Sequence, residues 1–151
     1  MKPIDHIDVE AGRPLLYTLH RFTPRFSEVD SMRIVWHGSY ALYFEDAREA
    51  FGREHGLGYM LIFGNGYYAP LVELNTKFKR PITYGMECRV EIFYRPTAAA
   101  KIVFDYEIYD DATDELLATA RSVQVFIDRD YRLVWETPGF YQCWKTEKGQ
   151  C

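Results

Sequence analysis

One stretch limits what this chain can fold into more than any other: the helical stripe that begins near Ser39 and ends at Gly56. Tyr40, Phe44, Ala47 and Phe51 recur at intervals of four, three and four, so they share one helix face. Glu45, Arg48, Glu49 and Arg53 fall mostly on the other side, with Glu49 and Arg53 in the favourable i, i+4 order. Ser39 is placed to cap the N-terminus with its hydroxyl, and Gly56 and Gly58 supply the stop. The spacing predicts a helix of about 16 residues, roughly 24 Å long.

Most of the remaining pattern has period two. Over 15–26, Leu15, Tyr17, Leu19 and Arg21 alternate with Leu16, Thr18, His20 and Phe22, which predicts a strand with Pro24 at an edge or bulge and His20 as a structural or surface histidine. After Pro70 come four strand-like runs, 71–79, 87–95, 101–109 and 115–128, with short separations that favour antiparallel neighbours. Residues 57–69 read as a loop or short helical piece with a turn at Asn65-Gly66. The order is strand, helix, four strands. One helix cannot cover a five-stranded sheet on both faces, so the expectation is an α+β fold in which an antiparallel five-stranded sheet wraps around one long central helix. The sheet edges are then free to pair with a second subunit. Residues 1–13 read as a flexible arm, 14–140 as a single domain and 141–151 as a tail, and the stretch from Arg129 through Trp135, Pro138, Phe140 and Trp144 has room for a short helix.

Composition excludes several function classes. With 151 residues the chain fits one domain able to bury roughly 70% of its unfolded surface. A net charge of -4 and the absence of a basic run exclude a nucleic-acid partner. No apolar run reaches membrane-spanning length, and 1–12 lack a signal-peptide core. Cys88, Cys143 and Cys151 share no metal or redox spacing, so reduced thiols in a cytoplasmic protein are expected, with no metal site.

Just ahead of the helix stands Asp30 in a loop, seven residues before His37. An acid beside a helix N-terminus and an apolar helix face is a site suited to attack on a carbonyl, because the first N–H groups of a helix are unpaired and carry the positive end of its dipole. The run from Asp30 through Ile34-Val35-Trp36, His37 and Tyr40 to Phe44-Glu45-Asp46-Ala47-Arg48 resembles the hotdog-fold acyl-CoA thioesterases of the 4-hydroxybenzoyl-CoA thioesterase type, including the small bacterial thioesterases linked to the Tol–Pal envelope system. The later run VELNTKFKRPITYGMECRVE resembles the second strand of that family, and the resemblance spans roughly residues 17–138. One departure stands out: Arg33 occupies a position where the family usually has glycine.

The resemblance implies hydrolysis of acyl-CoA or acyl-carrier-protein thioesters to free acid and thiol, by a homodimer or homotetramer with sites at the subunit interface. It implies Asp30 as general base or nucleophile, His37 as a second catalytic candidate, and the backbone N–H of His37 and Gly38 as oxyanion donors. Tyr40, Arg33 and Tyr68 are the substrate-pocket candidates, and Arg95 and Lys101 the candidates for coenzyme A phosphates. No cofactor is expected, since coenzyme A is part of the substrate. Two other readings are a hotdog hydratase or dehydratase using His37 with Glu45, which lacks a PHFPG-like segment here, and a non-catalytic acyl-thioester-binding protein.

Overall fold

The computed structural model describes residues 7–8 and 13–151, so most of the arm expected over 1–13 lies outside the described residues. Two short strands, β1 (Ile7–Asp8) and β2 (Arg13–Pro14), pair antiparallel. Then follow β3 (Tyr17–Phe22), α1 (Tyr40–His55), α2 (Tyr59–Gly64), β4 (Leu71–Phe78), β5 (Cys88–Arg95), β6 (Lys101–Asp110), β7 (Leu116–Val125) and α3 (Gly139–Glu147). β3 to β7 form one antiparallel sheet in the order β3-β5-β6-β7-β4. No helix of the described residues is long and apolar enough to cross a membrane.

The predicted stripe is the buried face of α1. Phe44 sits 4.7 Å from the Tyr106 ring and Phe51 sits 4.9 Å from Phe104, both on β6. Ala47, fully buried between them, lets the helix backbone come close to the sheet. Ile102, Phe104, Tyr106 and Ile108 of β6 face the helix, while Asp105 and Glu107 alternate to the outer face. The helix ends as its sequence predicts. Gly56 takes φ 72, and its N–H and that of Leu57 both donate to the Gly52 carbonyl.

One expectation is corrected. Short separation does not make β4 and β5 neighbours: β4 lies at the far edge beside β7. The linker 79–87 can span roughly 30 Å when extended, and crossing three interstrand spacings takes only about 14 Å. Along the way it buries Ile82 completely and bridges Thr83 to Ile34, contacts that a tight hairpin would forgo. The chain past residue 140 adds to the core. Within α3, Tyr141 and Trp144 are three apart on one face and both enter the core. The Trp144 indole N–H donates to the His55 carbonyl at 2.7 Å, and buried Gln150 donates to Pro14 at 2.7 Å.

Candidate active site

Asp30 stands on a hairpin, not on a free loop. Val29 pairs with Val35, the Trp36 N–H donates to the Glu28 carbonyl (2.9 Å), and the Asp30 N–H donates to Ile34 (2.9 Å). The turn closes through the Arg33 N–H to the Asp30 carbonyl (3.0 Å). Within it, Asp30 Oδ1 accepts the Met32 N–H at 2.8 Å, a turn that aspartate side chains favour. Its other carboxylate oxygen has no partner among the described residues. The hairpin is clamped to the 79–87 linker: the Val35 N–H donates to Ile82 (2.8 Å) and the Tyr84 N–H to Arg33 (3.2 Å). Such clamping fixes a half-buried acid more firmly than a surface loop would.

At the end of that turn Arg33 has φ 64. This is the left-handed region, which glycine enters freely and which costs a residue with a Cβ about 1–2 kcal/mol. The departure from glycine noted in the sequence therefore falls on the one backbone position of the turn where glycine would be easiest. Arg33 is exposed, and its guanidinium has no acceptor among the described residues.

A 3-10 turn, His37–Ser39, leads directly into α1. Ser39 does not cap the helix as its sequence position suggests. It already has helical angles (φ -79, ψ -17), and its hydroxyl donates to the Glu28 carbonyl at 3.4 Å. The first turn is opened by the Ser39 N–H bond to Trp36 (2.9 Å), leaving the N–H groups of His37 and Gly38 without acceptors among the described residues. Unpaired N–H groups at a helix start are the kind of donor that can stabilise an oxyanion. The Trp36 ring lies over Gly38, where a Cβ would come within 2.1 Å of a ring carbon, so a larger residue there requires the exposed Trp36 ring to swing aside. Nearby, the exposed His37 ring has its centroid 4.9 Å from that of Trp36.

Glu28 is a participant the sequence did not single out. Its Oε1 accepts the Tyr43 hydroxyl (3.0 Å) and the Arg25 N–H (2.7 Å), tying the start of the hairpin to the buried face of α1. Burial, reinforced by the Glu28 carboxylate, pushes the Tyr43 hydroxyl up and keeps it a donor. The Arg25–Glu28 spacing is visible locally, but nothing in the sequence links Glu28 to Tyr43. Cys88, near this end of the sheet, is a buried free thiol pushed up to about 12 by burial and by Asp110 and Asp111, so it is no nucleophile.

The other candidates lie elsewhere. Tyr40 is 4% exposed and meets Phe78 edge-on at 4.8 Å, making it part of the core. Tyr68 stacks on Tyr131 at 5.7 Å and lines a groove of about 780 Å³ between α1, α2 and 67–71, with Met60, Ile62, Pro70 and Gln124. Arg95 donates to Asp105 at 2.8 Å, and Asp105 also takes Arg121 at 2.7 and 2.9 Å. Lys101 is exposed at the start of β6. Both cations stand at the far end of the strands from the linker that holds the hairpin, roughly 24 Å along β5. Glu45 pairs with Arg48, not with His37. One protomer thus carries Asp30, Arg33, His37 and Gly38 on the hairpin and the turn that follows it, and leaves Tyr68, Arg95 and Lys101 apart.

Residues 24–144 match the Thioesterase-like superfamily. YneP of Bacillus subtilis (strain 168), whose name assigns it as an acyl-CoA thioesterase, is 31% identical over 106 residues, covering 70% of this chain and 76% of its own. The chloroplastic acyl-acyl carrier protein thioesterase ATL3 of Arabidopsis thaliana is 27% identical over 134 residues, 88% of this chain and 70% of its own. Among solved structures, the DHNA-CoA thioesterase of Staphylococcus aureus superposes with a TM-score of 0.77 at 24% identity, covering 87% of this chain and 90% of that one. Together with the five-stranded sheet laid on one long helix, these matches place the fold and the family: the chain belongs to the thioesterase-like superfamily of hotdog-fold thioester hydrolases.

Proposed function

We propose that the chain hydrolyses acyl thioesters carried on coenzyme A or an acyl carrier protein, releasing acid and thiol, with Asp30 as the reacting carboxylate. The observation that carries this reading is a carboxylate on a clamped hairpin, with one oxygen unpartnered, in the segment that leads into a helix N-terminus whose His37 and Gly38 N–H groups have no acceptor among the described residues. A thioester carbonyl seated on those N–H groups is polarised, and the oxyanion formed on attack is stabilised where it develops. Asp30 either takes a proton from water as the water attacks, or attacks itself to form an anhydride that water then opens. Neither route draws on a cofactor. The relatives named above, one assigned to acyl-CoA and one to acyl carrier protein, support this substrate class.

The working unit is a homo-oligomer in the cytoplasm. Among the described residues β4 is hydrogen-bonded on one side only, and Leu71, Val72 and Phe78 on it are exposed, an edge that a second copy can cover. The three free cysteines fit a reducing compartment.

Asp30→Asn tests the assignment, because the amide oxygen still accepts the Met32 N–H and keeps the turn. Thiol release should fall by about 100-fold or more, with the thermal midpoint unchanged. Full activity in that variant overturns the role of Asp30.

A further inference from the structure

We propose that Arg33 grips the phosphate of the pantetheine arm that carries the acyl group, an inference that rests on thioester hydrolysis at Asp30. The backbone at position 33 is left-handed, and glycine would meet that demand without strain. The arginine side chain returns nothing to the fold: it is exposed and makes no hydrogen bond or ion pair with any described residue. Strain held without an internal return points to a use outside the chain.

Its position says what that use is. Arg33 follows Asp30 by three residues, and its carbonyl is pinned by the Tyr84 N–H at 3.2 Å, so the root of the side chain is fixed beside the acid. Asp30 is half-buried, while Arg33 sits on the exposed tip of the hairpin. A substrate presenting its carbonyl to Asp30 leaves its carrier arm on the outer side, where Arg33 stands. That arm bears a phosphate, and a guanidinium fork matches phosphate oxygens with paired, charge-assisted hydrogen bonds. The chain has a net charge of -4, so an anionic substrate needs a local cation at the mouth of the site. Arg95 is tied to Asp105, and Arg95 and Lys101 stand at the other end of the strands.

The test compares Arg33→Gly, which preserves the turn, with wild type on one acyl group carried three ways: on coenzyme A, on an acyl carrier protein, and on N-acetylcysteamine, which has no phosphate. Arg132→Ala, an exposed cation remote from the hairpin, controls for net charge. KM should rise about tenfold or more for the phosphate-bearing thioesters, with kcat and the N-acetylcysteamine reaction unchanged. A rise with both carriers, or with only one, identifies the source of the phosphate. Free coenzyme A, titrated by calorimetry, should bind the variant about tenfold more weakly, and this reading needs no turnover. Equal losses on all three thioesters, no loss on any, the same loss in Arg132→Ala, or a changed oligomeric state in sedimentation overturns the proposal. If wild type hydrolyses none of the three while coenzyme A still binds through Arg33, the hydrolase reading fails and the phosphate site stands.

Discussion

Arg33 and Glu28 show how single residues set the shape of this site. Arg33 holds a left-handed angle that costs it about 1–2 kcal/mol. Glycine there would lose about 0.5–1 kcal/mol to its freer unfolded chain. Arg33→Gly should therefore stabilise the fold by about 0.5–1 kcal/mol, raising the thermal midpoint by roughly 1–4 °C. A lower midpoint would show that the side chain supports the hairpin after all. Glu28 acts in the opposite sense. Its carboxylate satisfies Tyr43, which is only 3% exposed, so Glu28→Ala strands a buried hydroxyl at a cost of about 1–3 kcal/mol. Glu28→Gln keeps an acceptor and should stay close to wild type. Urea midpoints for the pair settle it, and equal losses would place the effect somewhere other than the Tyr43 bond.

Among the elements, the sheet carries its own pH dependence. On its outer face Asp105 of β6 joins β5 through Arg95 and β7 through Arg121. Burial opposes ionisation of this carboxyl, but the hydrogen bonds from Arg121 and Arg95 outweigh it and hold the group below the usual carboxylate range. A folded-state value depressed below the unfolded one, about 3.9, gives stability that is present above pH ~4 and lost as pH falls through the folded value. Asp105→Asn should thus be less stable than wild type at neutral pH, and the gap should close in strong acid. Denaturant midpoints at the two pH values check this; a constant gap would assign the loss to packing. What could be read from the sequence follows the range of the interactions. The stripe on α1, its end at Gly56 and the alternating strands are local patterns, and they are legible. The Ser39 cap, the place of β4 beside β7 and the bond from Glu28 to Tyr43 depend on partners distant in the chain, and local pattern does not encode them. Asp30 was legible because a motif marks it, and Arg33 because it breaks that motif.

At the scale of the whole molecule, the core closes only when α3 docks. Trp144 is 4% exposed and bonds to the end of α1. Trp144→Ala should cost about 3–5 kcal/mol, read from urea midpoints; a loss below about 1 kcal/mol would mean that α3 adds little to the core. One edge of the sheet is left unfinished. β4 offers a row of unpaired backbone groups flanked by exposed Leu71, Val72 and Phe78, and natural sheets protect such an edge. The groove lined by Tyr68 also opens beside Leu71, at the start of the same strand, so a second copy on this edge would reach it. If that copy completes the site, association and activity must fall together. Val72→Lys places a charge on the seam, a device that sheet proteins use against edge pairing. Sedimentation should show an oligomer for wild type and a monomer for Val72→Lys, with thiol release lost in proportion. A wild-type monomer that keeps full specific activity on dilution would mean that one chain holds the entire site.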